Sequence, residues 1–483
     1  MTPQATAIEF QGRTLCFAEL GDRVGAVVQA LADLGVERGD VIAVHLPNEL
    51  SIVDLVHAGF AGDFVVLLVN TRLRAREIES QLRDSGARFF LHPEHDAEAE
   101  SVRLDPGVCR IHVSEVQGQS QFVSQHQVTQ RYSGANSQGH YEELDPDSPR
   151  FILYTSGTAG RPKGVVLSAA NLFASARGSA AMLGGGSADR WLLCLPVFHV
   201  GGLSILLRSV LAGSSVVLHR RFSPAEVNRD LDTKGVTGIS LVANMLQRVI
   251  DERTNQAPPP SLVCVLLGGG PAPDALLTSA SDIGFPVALT YGLTEAASQV
   301  ATRLPDEPKA AGLRPLEGMQ VKVVDESDRN LPPGHPGEIC VLGASVTSGY
   351  WRRPEENREV FRGGWLHTGD IGSLDADGRL TVYHRRSDII VSGGENIYPA
   401  EVEAVLLEHQ SIAEASVVAV ADETYGARPV AWLVANCEGE TPDAQSLREH
   451  CRARLAGYKC PVEFYWTKTL PRIATDQTWK STR

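Results

Sequence analysis

Three apolar, strand-like runs in this chain each break off into a turn-rich segment dense in polar groups. Phe151–Tyr154 (FILY) leads into TSGTAGRPKG, Val263–Leu267 (VCVLL) into GGGPAP, and Pro286–Leu289 (PVAL) into TYGLTE. In open α/β sheets, ligands collect outside the carboxyl ends of the strands. Three such ends in one domain predict a single shared cleft. The first hundred residues carry the matching pattern of strands alternating with helices. Phe17, Leu20, Val24, Val27, Val28, Leu31 and Leu34 recur at helical spacing, with Gly35 placed as a C-terminal cap. The run Val41–Leu46, a helical pattern over Ser51–Phe60 and the run Phe64–Val69 follow. This alternation predicts a layered α/β domain with a largely parallel sheet.

Further on the texture changes. Residues 114–140, rich in Gln, Ser and Gly without a clear period, read as a surface excursion. From about residue 317 short alternating runs (MQVKVVD, GEICVLG, RLTVYHR) sit between Gly and Pro turns, a β-rich subdomain. Past residue 388 comes a compact α+β pattern: a helix over Pro399–Glu408, strands near 415–420 and 429–435, and a helix over Ala444–Leu455. The expected division is therefore a large N-terminal α/β domain, 1–386, including the β-rich subdomain, and a small α+β C-terminal domain, 387–483.

Composition excludes several classes. The 483 residues hold 44 Lys+Arg against 58 Asp+Glu, a net charge of −14, which disfavours a general nucleic-acid or anionic-membrane binder. No apolar run approaches the roughly 20 residues of a membrane helix, and MTPQATAIEF lacks the form of a secretory signal. The eight cysteines are scattered, with no CxxC, so most are expected to act as small buried hydrophobes. A reduced, cytoplasmic protein is the simplest reading. A homodimer is left open.

The segment after FILY carries the most specific chemistry. Thr155, Ser156 and Thr158 offer hydroxyls, Gly157, Gly160 and Gly164 let backbone amides approach a ligand, and Lys163 adds a point charge. Those are the parts of a phosphate cradle. Gly164 stands where a Walker A loop needs Ser or Thr directly after the lysine, so that loop is excluded. The competing reading is a surface loop with an incidental lysine.

YTSGTAGRPKGV resembles the signature loop of the acyl-adenylate-forming superfamily, which includes acyl-CoA synthetases and peptide-synthetase adenylation domains. The likeness continues through LPVFHVGG at 195–202, GGGPAP at 268–273, YGLTE at 291–295, GWLHTGD at 364–370 and RRSDIIVSGGENIYPAEVE at 385–403. It implies an enzyme that joins a carboxylate to the α-phosphate of ATP, releases pyrophosphate, and passes the acyl group to the thiol of coenzyme A. On this resemblance Glu295 holds Mg²⁺, Thr294 contacts the α-phosphate, Asp370 accepts from both ribose hydroxyls and Arg385 contacts the ribose. Gly268, Gly269, Gly270, Tyr291 and Gly292 form the adenine pocket. Ser387 is the hinge about which the small domain rotates, and Gly393 and Gly394 line the pantetheine path.

Within the superfamily the chain is most similar to the o-succinylbenzoate–CoA ligase branch of menaquinone biosynthesis. The stretches LPVFHVGGLSILLRSVL, VCVLLGGGPAP, YGLTEAASQVAT and RRSDIIVSGGENIYPAEVEAVLLEH carry that likeness. O-succinylbenzoate has two carboxylates; one reacts and the other must be recognised. Arg208 is the expected partner of the second. It lies among Leu203, Leu206, Leu207, Val210 and Leu211, where an arginine is costly unless paired or exposed; a solvent-facing arginine is the alternative. His199 falls at the acyl-pocket position, as a substrate gate or a packed histidine, and Ser298 and Gln299 are candidates for the aromatic end. One departure stands out. The superfamily's C-terminal catalytic lysine follows LPR and a short spacer, but here the chain reads LPRIATDQTWKSTR. Gln477 occupies the lysine position, and Lys480, three residues on, is the candidate substitute. Gln carries no charge to stabilise the developing phosphate, so weak adenylation, or nucleotide binding without it, is the alternative expectation. A ligase for another aryl or medium-chain acid is the third.

Overall fold

The computed structural model describes residues 2–117, 145–156, 162–254, 256–270, 272–308, 311–385, 390–436, 441–467 and 470. The chain divides into two compact units, one running to Ser387 and one from Asp388; residues 156–161, mostly outside the described set, are left aside. The overall class is the expected one, a large α/β unit with a β-rich part and a small α+β unit.

In the large unit the N-terminal helix spans Phe17–Asp33 and buries Leu20, Val24, Val27, Val28 and Leu31 on one face. It begins in a capping box: the Glu19 amide donates to Cys16 Sγ at 3.5 Å and the Cys16 amide to the Glu19 carboxylate at 2.8 Å. After the Leu34 cap, Gly35 takes φ +88° and its amide reaches the Ala32 carbonyl at 3.0 Å, so the glycine ends the helix as expected. A six-stranded sheet follows the order Cys109–His112, Phe89–His92, Val41–Val44, Val65–Leu68, Pro149–Ser156, Pro162–Ser168. Its central strands are buried throughout and paired in parallel, which is why they read as unbroken apolar runs.

The three strand ends do not share one sheet. Phe151–Leu153 pair in parallel with Val66–Leu68 in the six-stranded sheet. The other two strands, Cys264–Leu267 and Val287–Leu293, are parallel neighbours in a nine-stranded sheet, with Val265 opposite Val287. Strand partners are chosen by long-range pairing, which a local apolar pattern does not encode. The segment 347–351 ties the ends together: the Trp351 amide donates to the Gly164 carbonyl and the Thr347 amide to the Glu295 carbonyl, each at 2.7 Å.

The β-rich part is an antiparallel five-stranded sheet of Met319–Val324, Gly337–Gly343, Trp365–Leu374, Phe361–Arg362 and Leu380–Arg385. Its register sets Arg385 opposite Asp370. In the small unit a hairpin, Ile390–Ser392 and Glu395–Ile397, precedes the helix Pro399–Leu407, long strands Ile412–Asp422 and Gly426–Ala435, the helix Ala444–Arg452 and the strand Glu463–Trp466. The long strands outrun the expected ones because pairing continues through polar residues such as Asp422 and Arg428. Val402, Leu406, Leu447 and Cys451 close the core of this unit. Most of the expected 114–140 excursion lies outside the described residues, as does Cys437. Cys194, Cys264, Cys340, Cys451 and Cys460 are buried as expected, whereas Cys109 is exposed and Cys16 caps a helix. Among the described residues no helix is long and apolar enough to cross a membrane.

Candidate active site

On the nucleotide side, two tyrosines hold two carboxylates. The strand Val287–Leu293 carries Tyr291, whose hydroxyl donates to Asp370 Oδ2 at 2.6 Å. Asp370 is only 3 % exposed, and its amide donates to Thr368 Oγ1 at 3.1 Å, fixing the turn that carries it. Immediately after the strand, Thr294–Ala296 forms a short 3-10 turn that presents Glu295. Tyr350 donates to Glu295 Oε1 at 2.9 Å, and Lys163 Nζ lies 5.2 Å from the centre of the Tyr350 ring. Lys163, Tyr350 and Glu295 thus form one chain of contacts across the two sheets. A carboxylate that accepts a single hydroxyl bond keeps lone pairs for a hard cation, so Glu295 fits the usual Mg²⁺ mode of one carboxylate plus phosphates and water.

Glycines shape the adjoining floor. A Cβ at Gly268 would meet Thr290 Cγ2 at 2.8 Å, and Gly269 takes φ +78°, so only glycine is accommodated along this stretch. At Gly292 a Cβ would overlap the Ser298 carbonyl. Thr155 sits at the end of its strand, with Oγ1 3.5 Å from the Lys163 carbonyl oxygen. Gly157, Thr158 and Gly160 lie outside the described residues, as do the side chains of Ser156 and Arg385.

The acyl candidates converge on a small pocket, partly open to solvent, between helices Ala169–Leu183 and Val200–Ala212 and the turn 297–299. Arg208, Ser298 and Gln299 all line it, together with Leu172, Leu207 and Ser204. The turn is strained: Ala297 and Ser298, both non-glycine, take φ +53° and +119°. Ser175 Oγ holds it by donating to the Ala297 carbonyl at 2.7 Å. Gln299 is buried and donates through Nε2 to Thr302 Oγ1 at 3.0 Å.

Among the described residues Arg208 pairs with no Asp or Glu, and it is not turned to solvent as the alternative reading had it. Its Nη1 donates to Ser179 Oγ at 3.1 Å, its Cζ stands 4.0 Å over the Trp191 ring, and Nη2 is buried without a hydrogen-bond partner among the described residues. Burial pushes its pKa down, to about 10, so the guanidinium is still charged at neutral pH. His199, at the N-terminal end of the same helix, packs edge-on against Phe198 with ring centres 4.8 Å apart and does not line the pocket. Nine residues of helix rise separate it from Arg208 by about 13 Å.

In the small unit, Gly393 and Gly394 form the two-residue turn of the hairpin with φ +59° and +87°, a conformation that requires positive φ twice. Ser387, Gln477 and Lys480 lie outside the described residues. Two other clusters among the described residues gather metal-type ligands, His92–Glu100–His112 and Glu338–Cys340–His367. In each an arginine occupies the imidazole: Arg110 lies 2.8 Å from His92 Nε2 and Arg362 2.7 Å from His367 Nδ1. A cation in that place opposes a metal. The sequence reading missed Tyr350, Trp191 and Ser179. The pairing of Gly349 with Tyr350 and Trp351 signals Tyr350 weakly, whereas Trp191 in RWLL reads as ordinary core.

Residues 1–351 match the family model of AMP-binding enzymes, and residues 401–476 match that of the AMP-binding enzyme C-terminal domain. The chain is 41% identical over 481 residues to the 2-succinylbenzoate–CoA ligase of Geobacillus kaustophilus, covering 99% of this chain and 94% of that one. It is similar, at a TM-score of 0.88 and 38% identity over 99% of this chain and 95% of that one, to a double mutant of Bacillus subtilis o-succinylbenzoate CoA synthetase bound with its product analogue OSB-NCoA. The same B. subtilis enzyme with the acyl-adenylate OSB-AMP gives a TM-score of 0.72 at 39% identity, over 98% and 93% of the two chains. With ATP and magnesium ion it also gives 0.72 at 39% identity, over 98% and 95%.

Proposed function

The chain belongs to the AMP-binding enzyme family, and from that premise we propose that it is an ATP-dependent acid–thiol ligase that converts o-succinylbenzoate to its coenzyme A thioester. A carboxylate oxygen of the acid attacks the α-phosphorus of ATP; the bond to pyrophosphate breaks, and an acyl-AMP forms. The sulfur of coenzyme A then attacks the acyl carbon, the acyl–oxygen bond breaks, and AMP leaves while the thiol proton passes to solvent.

The observation that carries the reading is the acyl pocket. It is lined by Leu172, Leu207, Ala176 and Ala297 together with serines, Gln299 and one charged guanidinium whose Nη2 has donors to spare, suited to an aromatic acid with a second carboxylate. In this reading Arg208 takes that carboxylate, Ser298 and Gln299 flank the ring, and His199 stands nearer the reacting end. Lys163 and the loop 155–160 hold the phosphates, Thr294 the α-phosphate, Asp370 and Arg385 the ribose. Gly268–Gly270, Tyr291 and Gly292 bound the adenine. Mg²⁺, held by Glu295, supplies charge neutralisation of the phosphates. Ser387 serves as the hinge of the 387–483 domain, and Gly393 and Gly394 border the pantetheine. A cytoplasmic setting accords with the seven described cysteines, all free.

Incubation with o-succinylbenzoate, ATP, Mg²⁺ and coenzyme A should yield succinylbenzoyl-CoA by mass spectrometry. Pyrophosphate release with other aryl or medium-chain acids but not with o-succinylbenzoate would overturn the assignment. The same assay addresses Gln477: Gln477→Lys is expected to raise the adenylation rate, and an unchanged rate removes that position from catalysis.

A further inference from the structure

The sheet beneath the acyl pocket contains a device that the reaction scheme leaves unused. Trp191 lies in the strand Arg190–Leu193 of the nine-stranded sheet, directly opposite Gly238 on the neighbouring strand. A Cβ at position 238 would overlap the six-membered ring of the indole, so the ring lies over the neighbouring backbone where only glycine leaves room. This pins a rigid aromatic plate, itself buried, beneath the guanidinium of Arg208 at 4.0 Å. Ser179 Oγ accepts from Nη1 and sets the rotation of the fork about that plate.

The charge of Arg208 is therefore offset without being neutralised. Among the described residues no Asp or Glu pairs with it. The nearest carboxylate of consequence, Asp189, accepts instead from the Gly186 amide at 2.9 Å and Thr237 Oγ1 at 3.2 Å. A protein carboxylate in the place of the indole would satisfy the guanidinium and repel an anionic ligand. An aromatic face attracts the cation through its quadrupole yet takes none of its N–H donors. Guanidinium groups stack on aromatic faces with their N–H donors directed away from the ring, so such a face leaves those donors for a ligand.

We propose that Trp191 is a positioning residue for substrate specificity: stacked on Arg208 and seated on Gly238, it holds the guanidinium charged and unpaired, its N–H donors left for the second carboxylate of a dicarboxylic substrate. This rests on the reading that Arg208 meets that carboxylate, and the test separates the two. Initial rates are measured for wild type, Trp191→Leu, Trp191→Phe and Arg208→Leu. The substrates are o-succinylbenzoate and the two monoacids that each lack one of its carboxylates, 3-benzoylpropanoate and 2-butanoylbenzoate. The one that is turned over serves as reference.

For Trp191→Leu the KM for o-succinylbenzoate should rise about tenfold, several times more than the KM for the monoacid, with kcat little changed. Trp191→Phe, which keeps an aromatic face, should recover most of the loss and remains informative if the leucine variant folds poorly. If Arg208→Leu loses the preference for the dicarboxylate and both Trp191 variants keep it, the positioning role is wrong and the Arg208 reading stands. If Arg208→Leu keeps the preference, the underlying reading fails. Equal losses on both acids in the Trp191 variants would make the residue merely structural and would also overturn the proposal.

Discussion

The nucleotide side and the acyl pocket keep a charge ready for a ligand by different means. Asp370 and Glu295 are each held by a tyrosine hydroxyl, at 2.6 and 2.9 Å. A hydroxyl, unlike a basic side chain, uses one lone pair of a carboxylate without cancelling its negative charge. Arg208 is held by an indole face and one serine, which leave its positive charge and most of its donors intact. At Arg208 a protein carboxylate would have cancelled the field that an anionic ligand needs. An acidic chain of net charge −14 can thus bind anionic substrates with few cations, provided those few are not spent on its own carboxylates.

The comparison breaks most visibly at Glu295. Glu295→Gln keeps an oxygen to accept from Tyr350, so the turn survives, but it removes the charge that a cation requires. We expect pyrophosphate release to fall by about 10²- to 10³-fold, with the KM for the acid little changed. A fall of less than about threefold would show that the carboxylate charge is idle. At the other carboxylate the expected effect is smaller. Tyr291→Phe leaves a buried Asp370 oxygen short of one donor, and a hydrogen bond to a charged group contributes about 1.5–3 kcal/mol. Part of that is recovered by water or by the ribose itself, so the KM for ATP should rise about tenfold. An equal rise in the KM for o-succinylbenzoate would mean that the two sides are mechanically coupled and that the contrast between them is false.

Local chemistry was legible in the sequence wherever residues act through their own segment. The helix Phe17–Asp33, the Gly393–Gly394 turn and the placing of Glu295 just past a strand end each follow from spacing and turn residues. Arg208, Ser298 and Gln299 were found as pocket residues although they lie about 90 positions apart in the chain, because motif likeness carried them and the pocket joins them. What was hidden depends on packing between distant segments. The Phe151–Tyr154 run joins a different sheet from the other two strand ends, Tyr350 bridges them from the far side of the domain, and Trp191 acquires its role only through Gly238 on another strand. An aromatic residue within an apolar strand has the same local signature whether it fills a core or supports a cation. Arg208 shows the converse: its helix marked it as a charge in need of a partner, but the aromatic face beneath it needed the third dimension.

A second buried base sharpens the contrast from the side of stability. His57, in the helix Leu50–Ala61, is half-buried with Nε2 enclosed and lacking a hydrogen-bond partner among the described residues. Burial lowers its pKa from 6.5 to about 4, so this imidazole is neutral where Arg208 is charged. The guanidinium begins so far above neutrality that burial cannot discharge it, whereas the imidazole yields to the same penalty. The sign follows from proton uptake. Between pH 6.5 and about 4 the unfolded chain protonates His57 and the folded chain does not, so stability is full above that window and falls as pH drops through it. Integrated over the shift from 6.5 to about 4, the loss is no more than about 3 kcal/mol. His57→Leu should flatten that part of the curve of urea midpoint against pH while leaving turnover at neutral pH unaltered. Identical acid limbs for the two proteins would mean that His57 is protonated within the fold. Burial in this unit would then not neutralise a base, and the charge retained on Arg208 would not set the acyl pocket apart from the rest of the core.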